Sequence, residues 1–587
     1  AQGIRDIPGT DTITFITKDQ VPRNKRVTYA RFVADIRPQK AETHRVRLTI
    51  GGNLIEYEGE VNTPTGSLTT YKLHCNDVIS TPNARCVCLD IENYYLNTPL
   101  PTPEFMRVHI SLIPEEIIEA YNLRNMVDPQ GNIYIRLNKG MYGLPQAGIL
   151  AYQLLVQRLA PYGYAPVRHT PGYWKHKDKP TAFVLVVDDF SIKYVDRQDA
   201  EDFITILQQW YTIKVDWEAA LYCGIKTDWD YANRKVTLSM PGYIAALLKE
   251  LNHPLPAKPQ HAPHPYQPAT YGKHPQLADE PDHTAPLSPK DPIQPSKIVG
   301  KLLYYARAVD STLMVALSAL ASEQNRPTIK TKKKILQLLD YCATHPDAKL
   351  SYYASDMILY MHSDAGYNNE PGARSRSGGH LYLGNHQHHK PVQNGAILNP
   401  THILKHVASS AADAEIGAAF VNSKEAIPLR ITLAEMGHPQ PSTEVTLDNT
   451  TAVDFINKDL KQRCTKAIDM RYYWLQDQEA QKHFTYLWKK GSDNLADYYT
   501  KHHPPGHHQA VRTQYVHLCH TNRTTPQFRQ LHPTSRHSDR PLRGCADPRS
   551  YQWPHAGRTA SVGAPAHLSR PGAPTDITQI TDTLTVD

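Results

Sequence analysis

A mixed α/β chain of three to four domains is what this sequence predicts, and three observations carry the expectation. The chain has 587 residues, enough for about three to four units that each bury a core. Short apolar runs closed by Gly, Asp or Asn read as strands, while IVGKLLYYARAVDSTLMVALSALASEQ and TIKTKKKILQLLDYCATHP carry apolar residues at helical spacing. Between two such sets lies a segment, residues 254–295, with 12 Pro in 42 positions.

Composition narrows the class. The formal net charge is +7, with 30 His besides, which suits a polyanionic partner and equally an ordinary basic enzyme. The eight Cys are scattered, and Cys86 and Cys88 form a C-x-C that matches neither a zinc ribbon nor a CxxC redox pair. A reduced, intracellular protein follows. No apolar run approaches the roughly 18 residues of a membrane span. The start AQGIRDIPGT has no signal-like segment and no initiator Met, so a piece of a longer polyprotein or a trimmed chain is expected.

In chain order, VTYARFVADIRPQ and HRVRLTIGG predict a hairpin ending at Gly51-Gly52, with Arg45 and Arg47 alternating with apolar residues. Such a hairpin can clasp a triphosphate or present a solvated strand face. ARCVCLDIENYYLN delivers Asp90 at the end of an apolar strand, either as a metal ligand or as a helix cap. In IYIRLNKGMYGLPQAGILAYQLLVQRL a strand runs through a Gly-rich turn into a helix near Pro145. Gln146 stands at its start, where backbone can approach a base pair or phosphate closely. FVLVVDDFSIKYV, Phe183 to Val195, predicts two buried strands joined by a tight turn that carries Asp188 and Asp189. A solvated turn accommodates two Asp. Held against hydrophobic strands, however, they raise each other's proton affinity, a conflict that a divalent cation removes. Asp90, Asp188 and Asp189 together are what two-metal phosphoryl transfer requires.

The order LDIENYYLN, KGMYGLPQAG, VVDDF and LYCGIKTDWDYANRKVTLSMPGYIAALL resembles the reverse transcriptase of copia-type LTR retrotransposons, in a branch found in microalgae. That resemblance implies an α+β right-hand polymerase with fingers, palm and thumb. It makes Asp90, Asp188 and Asp189 the metal ligands and sets Arg45 and Arg47 on the fingers hairpin, facing the incoming nucleotide. Tyr95 matches the aromatic gate that collides with a ribose 2′-hydroxyl, and Gln146 and Gly148 fall beneath the template base pair. Val186 departs from the Tyr usual before the acidic pair, and Tyr94 from the small residue usual beside the gate, which puts nucleotide selectivity and pausing in doubt. Lys214 resembles a lysine near which related polymerases protonate pyrophosphate; a plain surface lysine is the other reading. Lys330, Lys332, Lys333 and Lys334 read either as phosphate contacts or as a solvated helix start.

From residue 351 a fresh pattern begins. MILYMHSD ends a strand at Asp364, SSAADAEIGAAF carries Glu415 on a helix, VTLDNTTAV ends a strand at Asp448, and GSDNLADYYTK brings Asp497. Each acid can be a cap or a surface group; together they suit two Mg²⁺ ions for phosphodiester hydrolysis. The strings HSDAGY, SSAADAE, LDNTTAV and NLADYYTK resemble the RNase H domain that follows reverse transcriptase in copia-type elements. By that match Asp364, Glu415, Asp448 and Asp497 are ligands, with Asp413 and Asp493 as neighbours that confuse the assignment. Ala467, ahead of Tyr472 and Tyr473, stands where many relatives have His, which puts one substrate-loop contact in doubt. NHQHH and HHPPGHH match no tetrahedral zinc spacing. Beyond His520 the chain has eight Arg and no Lys, and a disordered tail is expected.

The expected architecture is therefore an N-terminal extension (1–24), fingers and palm (25–250), a Pro-rich linker (251–296) forming a flexible strap, a helical thumb or connection (297–350), an α/β RNase H-like domain (351–519) and a disordered tail (520–587). The expected activity is RNA-directed DNA synthesis with hydrolysis of RNA in hybrids, using two Mg²⁺, or Mn²⁺, per site. Its partners are an RNA template, a DNA primer, an RNA:DNA hybrid and dNTPs, with no membrane. The family implies an intracellular, cytoplasmic setting, with virus-like particles and nuclear entry. A decayed or domesticated nucleic-acid-binding copy is one alternative. An RNA-dependent RNA polymerase is another, and Tyr95 and the second acid set count against it.

Overall fold

The acidic turn sits on a sheet covered on both faces. The computed structural model describes residues 3–5, 7–36, 44–266, 282–386, 394–457 and 469–516. Its six-stranded sheet runs in the order Ile213–Asp216, Arg85–Ile91, Asp189–Tyr194, Ala182–Val186, Tyr173–His176, Tyr164–Pro166. Phe183, Leu185 and Phe190 enter one core with Val87 and Leu89. Val184 and Val186 enter another with Cys86, Cys88 and the helix Leu68–Ser80. Two buried faces explain why these strands read as continuous apolar runs rather than as alternating ones.

A five-stranded sheet precedes it, ordered Ile13–Ile16, Asn132–Lys139, Pro99–His109, Val27–Ile36, His44–Ile50. The expected arginine hairpin is its edge, with Val33 opposite Arg47 and Ala30 opposite Ile50. A four-stranded sheet follows, Leu221–Tyr222, Ile225–Asp230, Lys235–Ser239, Lys349–Tyr353. The last strand moves the expected boundary at residue 351, because Tyr352 pairs with Val236 and the fresh pattern starts only at Ile358. Alternation in KLSYY belongs to this sheet.

Helices Pro295–Ala308, Met314–Glu323 and Ile329–Thr344 bridge the halves. Their Leu302, Leu317 and Leu338 join the same buried cluster as Leu73 before them and Leu359 and Leu433 after them. The final sheet is six-stranded, with Ile358–Glu370 at its centre, antiparallel to Arg374–Gly384 and parallel to Thr443–Leu447. The helix Ala411–Met436 packs against it.

The Pro-rich segment is not a free strap in its described parts. The Gln260 amide donates to Thr344 Oγ1 (2.9 Å), Gln337 Nε2 donates to the Ala262 carbonyl (3.1 Å), and the Leu287 and Ile329 amides donate to the Pro327 and Ala285 carbonyls. Few aliphatics are needed when the backbone itself finds partners. Residues 267–281, Ala467, most of NHQHH and the tail from 520 lie outside the described residues. Among the described residues no helix is long and apolar enough to cross a membrane.

Candidate active sites

The first site is assembled by strand register. Asp90 lies directly opposite Asp189 in the antiparallel ladder, so the two side chains share a face. Val186 pairs with Asp189, leaving Val187 and Asp188 as the two turn residues. Val187 takes φ +56°, which a β-branched residue adopts only when its surroundings impose it. The Ile91 amide donates to the Asp188 carbonyl (3.1 Å), tying the turn to the strand of Asp90. Burial, aided by the Asp90 charge, raises the Asp188 carboxyl to about 6 against the pull of Arg47 and Arg45.

The arginine hairpin is interlocked with the Gly-rich turn. Ile50 donates to the Tyr142 carbonyl (3.0 Å), and Gly143 holds φ +97°, where a Cβ would run into the Ile50 carbonyl. The Arg47 guanidinium lies 5.2 Å from the Tyr142 ring centre, and the Tyr142 ring meets Tyr95 edge-on at 5.5 Å. Gln146 stands at the start of the helix Ala147–Leu159, buried, with Oε1 making no hydrogen bond. A Cβ on Gly148 would crowd Thr63 Oγ1, with the Tyr95 hydroxyl just beyond it at 3.8 Å. Arg45, Arg47, Tyr95, Gln146 and Gly148 therefore belong to one neighbourhood.

Both departures fall in the hydrophobic interior. Val186 is buried in a core, and Tyr94 turns inward against Tyr211 (5.9 Å) beside Tyr95. Lys214 stands opposite Asp90 in the ladder and pairs with Glu92 (2.8 Å). The lysine run is partly neutralised within the chain: Lys332 pairs with Asp291 and Lys334 with Glu323, both at 2.6 Å.

In the second site the parallel register Met361–Val445 and His362–Thr446 is an offset of 84 residues, so Asp364 (364 + 84 = 448) comes level with Asp448. Glu415 is in the second turn of its helix, and the Ala365 amide donates to its Oε1 (3.2 Å). The ligand oxygens of Asp364, Glu415 and Asp448 all lie within 4.8 Å of one another, and they are the one such group of metal-ligating side chains among the described residues. Asp497, on the turn Leu495–Tyr499, lies outside that group, though its charge acts on Asp364 and Asp448, and it pairs with Lys501. That turn is fastened by Asn494 Nδ2 to the Ser363 carbonyl (2.8 Å) and by the Leu495 amide to His362 Nδ1 (2.9 Å).

Burial, then the Asp497 charge, raises Asp364 to about 7. Burial, then Asp364 and Asp448, holds Glu415 well above the carboxylate range, and burial with Asp497 raises Asp448. Glu415 Oε2 is buried with no hydrogen-bond partner. Hard oxygen donors, crowded and under-compensated, fit Mg²⁺ or Mn²⁺.

The confusing neighbours separate by their partners. Asp413 accepts from the Ser409 amide and hydroxyl as part of the helix start, and Asp493 is exposed. Tyr472 is buried and Tyr473 exposed. His503 and His507 stack at 4.2 Å and His508 bonds Tyr498, so HHPPGHH packs aromatically. Sequence reasoning assigned nothing to Tyr142, nor to Thr500 and Lys501. Thr500 Oγ1 donates to Asp364 (2.7 Å), and both Thr500 and Lys501 stood in the string NLADYYTK as the polar residues following Asp497.

No family model matches the chain. Among curated proteins, the Retrovirus-related Pol polyprotein from transposon TNT 1-94 of Nicotiana tabacum is 23% identical over 494 residues, 82% of this chain and 35% of that protein. The Transposon Ty1-ER2 Gag-Pol polyprotein of Saccharomyces cerevisiae is 24% identical over 408 residues, 65% of this chain and 22% of that protein. The chain thus spans about a third or less of the length of these relatives. Among solved structures, a foamy viral protease-reverse transcriptase in complex with RNA/DNA hybrid aligns at a TM-score of 0.45 with 12% identity, covering 83% of this chain and 52% of that one.

Proposed function

We propose that this chain, a relative of retrotransposon Pol polyproteins, is an RNA-directed DNA polymerase with a ribonuclease H activity. The observation that carries the reading is the pair of carboxylate sets in one chain: one on a hairpin facing two arginines, the other buried at the centre of a separate sheet. We read the five-stranded sheet as fingers, the six-stranded sheet as palm, the helices between 295 and 344 as thumb or connection, and the sheet from Ile358 as the RNase H-like domain.

Asp90, Asp188 and Asp189 would hold divalent metal at the first site, and Asp364, Glu415, Asp448 and Asp497 at the second. Bound there, Mg²⁺ supplies Lewis acidity toward the attacking and leaving oxygens of a phosphodiester. Arg45 and Arg47 offset triphosphate charge. Tyr95 closes the space on the sugar's 2′ side, and Gln146 offers an unengaged amide oxygen beneath the base pair. At the second site Lys501 pairs with Asp497, and Thr500 orients Asp364. The substrates are an RNA template, a DNA primer, dNTPs and the resulting hybrid, and the setting is intracellular.

Primer extension on an RNA template with dNTPs and Mg²⁺, beside cleavage of a labelled hybrid, tests the reading. Asp188→Asn should remove extension by on the order of a hundredfold or more and leave cleavage, and Asp364→Asn should do the reverse, since metal stabilisation is worth several kcal/mol. Absence of both activities in folded wild type would favour a nucleic-acid-binding relic.

A further inference from the structure

We propose that Tyr142 is a positioning residue that couples recognition of the nucleotide's phosphates to selection of its sugar. Its ring contacts both Arg47 and Tyr95. The inference rests on the polymerase reading and deepens it.

Two contacts converge on one side chain. The Arg47 guanidinium carbon lies 5.2 Å from the ring centre, within the range where a cation is drawn to an aromatic face. Arg47 Nε is buried and makes no hydrogen bond, so nothing fixes the guanidinium through that atom and the ring contact carries correspondingly more of its orientation. Tyr95 meets the same ring at 5.5 Å and 69°, the edge-to-face arrangement aromatic pairs prefer. Rotation of Tyr95 about its own side chain would have to break that contact.

Tyr142 is itself held in place. Its carbonyl accepts from Ile50, at the end of the strand that carries Arg45 and Arg47, and the next residue is locked at φ +97°. Burial, and after it the Asp188 charge, raises the proton affinity of both Tyr142 and Tyr95, so the two phenols lie within reach of the acidic turn. A nucleotide whose phosphates draw Arg47 would therefore press, through one rigid ring, on the residue that screens its 2′ position.

The test is steady-state primer extension by Tyr142→Ala, Tyr142→Leu and Tyr142→Phe with dNTP and with rNTP, each protein also assayed for hybrid cleavage. Tyr142→Ala should raise the KM for dNTP about 3- to 30-fold, the worth of one cation–π contact, with kcat changed less than about 3-fold. It should also raise the rNTP:dNTP incorporation ratio by several-fold. Tyr142→Phe keeps the ring and should match wild type in both. Tyr142→Leu keeps bulk without a π face and should repeat the alanine losses if alanine also lowers hybrid cleavage through misfolding. A wild-type rNTP:dNTP ratio in both Tyr142→Ala and Tyr142→Leu overturns the proposal, as does Tyr142→Phe behaving like alanine. Wild type that extends no primer overturns the polymerase reading itself, and this inference with it.

Discussion

The two acid sets solve one electrostatic problem in opposite ways. At the first, the acids are half-buried on a strand end and a turn, and two arginines face them. At the second, Asp364 and Glu415 are buried, three carboxylates meet within 4.8 Å, and Lys501 is the cation beside them. On the proposed function the first would suit a substrate that arrives with its own charge and leaves again. The second is preassembled, and its repulsion stays in the fold until a cation relieves it. Stability should depend on the second site far more than on the first.

The largest effect should come from what fastens the second site to the helices before it. Arg512, on Pro505–Tyr515, donates to Asp310 (2.8 Å), Thr312 (2.6 Å) and Tyr341 (2.8 Å), all buried. Removing one partner leaves an uncompensated buried charge, so Arg512→Met should cost about 3–5 kcal/mol. Urea unfolding measures it. Lys193→Met beside the first site breaks a comparable pair with Asp77 (2.7 Å), but His438 still bonds that carboxylate and the loss should be smaller. Equal losses would erase the asymmetry.

Next in size is the response to pH. Asp364 titrates near 7 in the fold against 3.8 ordinarily, so between those values the folded chain binds more protons than the unfolded one. Stability then falls as pH rises through that window, by up to on the order of 4 kcal/mol for a shift of this size. Without divalent cation, melting temperature should drop between about pH 4 and 7. Mg²⁺ should flatten the curve, and Asp364→Asn should flatten it without Mg²⁺. Asp188, raised only to about 6 and opposed by arginine, should contribute less, so Asp188→Asn should leave most of the slope. A curve flat in metal-free wild type would count against the preassembled cluster.

What was legible in the sequence follows the same division. Asp90, Asp188 and Asp189 stand at the ends of apolar strands, where period and turn chemistry locate them. Asp364 and Asp448 were visible for the same reason, and their common level follows from a parallel register that no local string states. Tyr142 went unassigned because its partners Arg47 and Tyr95 lie 95 and 47 residues away in a chain whose local pattern there announces only a turn. The Pro-rich segment misled in the other direction: composition excludes a core of its own, yet backbone groups and His264, which stacks on His502 at 3.6 Å, fix its ends. The boundary at 351 failed because a strand completes a sheet begun more than a hundred residues earlier.

The smallest effect concerns how the two regions are joined. The end of the helix Ala411–Met436 docks on the first half through Glu435, which accepts from the His169 amide (2.8 Å) and the Thr170 hydroxyl (2.5 Å), and through His438, which bonds Asp77 (2.8 Å). Burial pushes Asp77 upward, yet His438 and Lys193 together hold it at about 2, so this carboxylate stays charged across the working range. Glu435→Ala removes acceptors from the partly buried rim of a contact that keeps its apolar core, and should cost about 1 kcal/mol. Neither candidate site includes Glu435, so extension and cleavage, each measured alone, should stay near wild type. Coupled synthesis should differ: on the proposed function this joint helps fix the spacing from primer end to RNA cut, and loosening it should broaden the ladder of cleavage products formed during extension. A ladder as sharp as wild type would mean that the shared core through Leu302, Leu338 and Leu433, rather than the polar contact, fixes one site relative to the other.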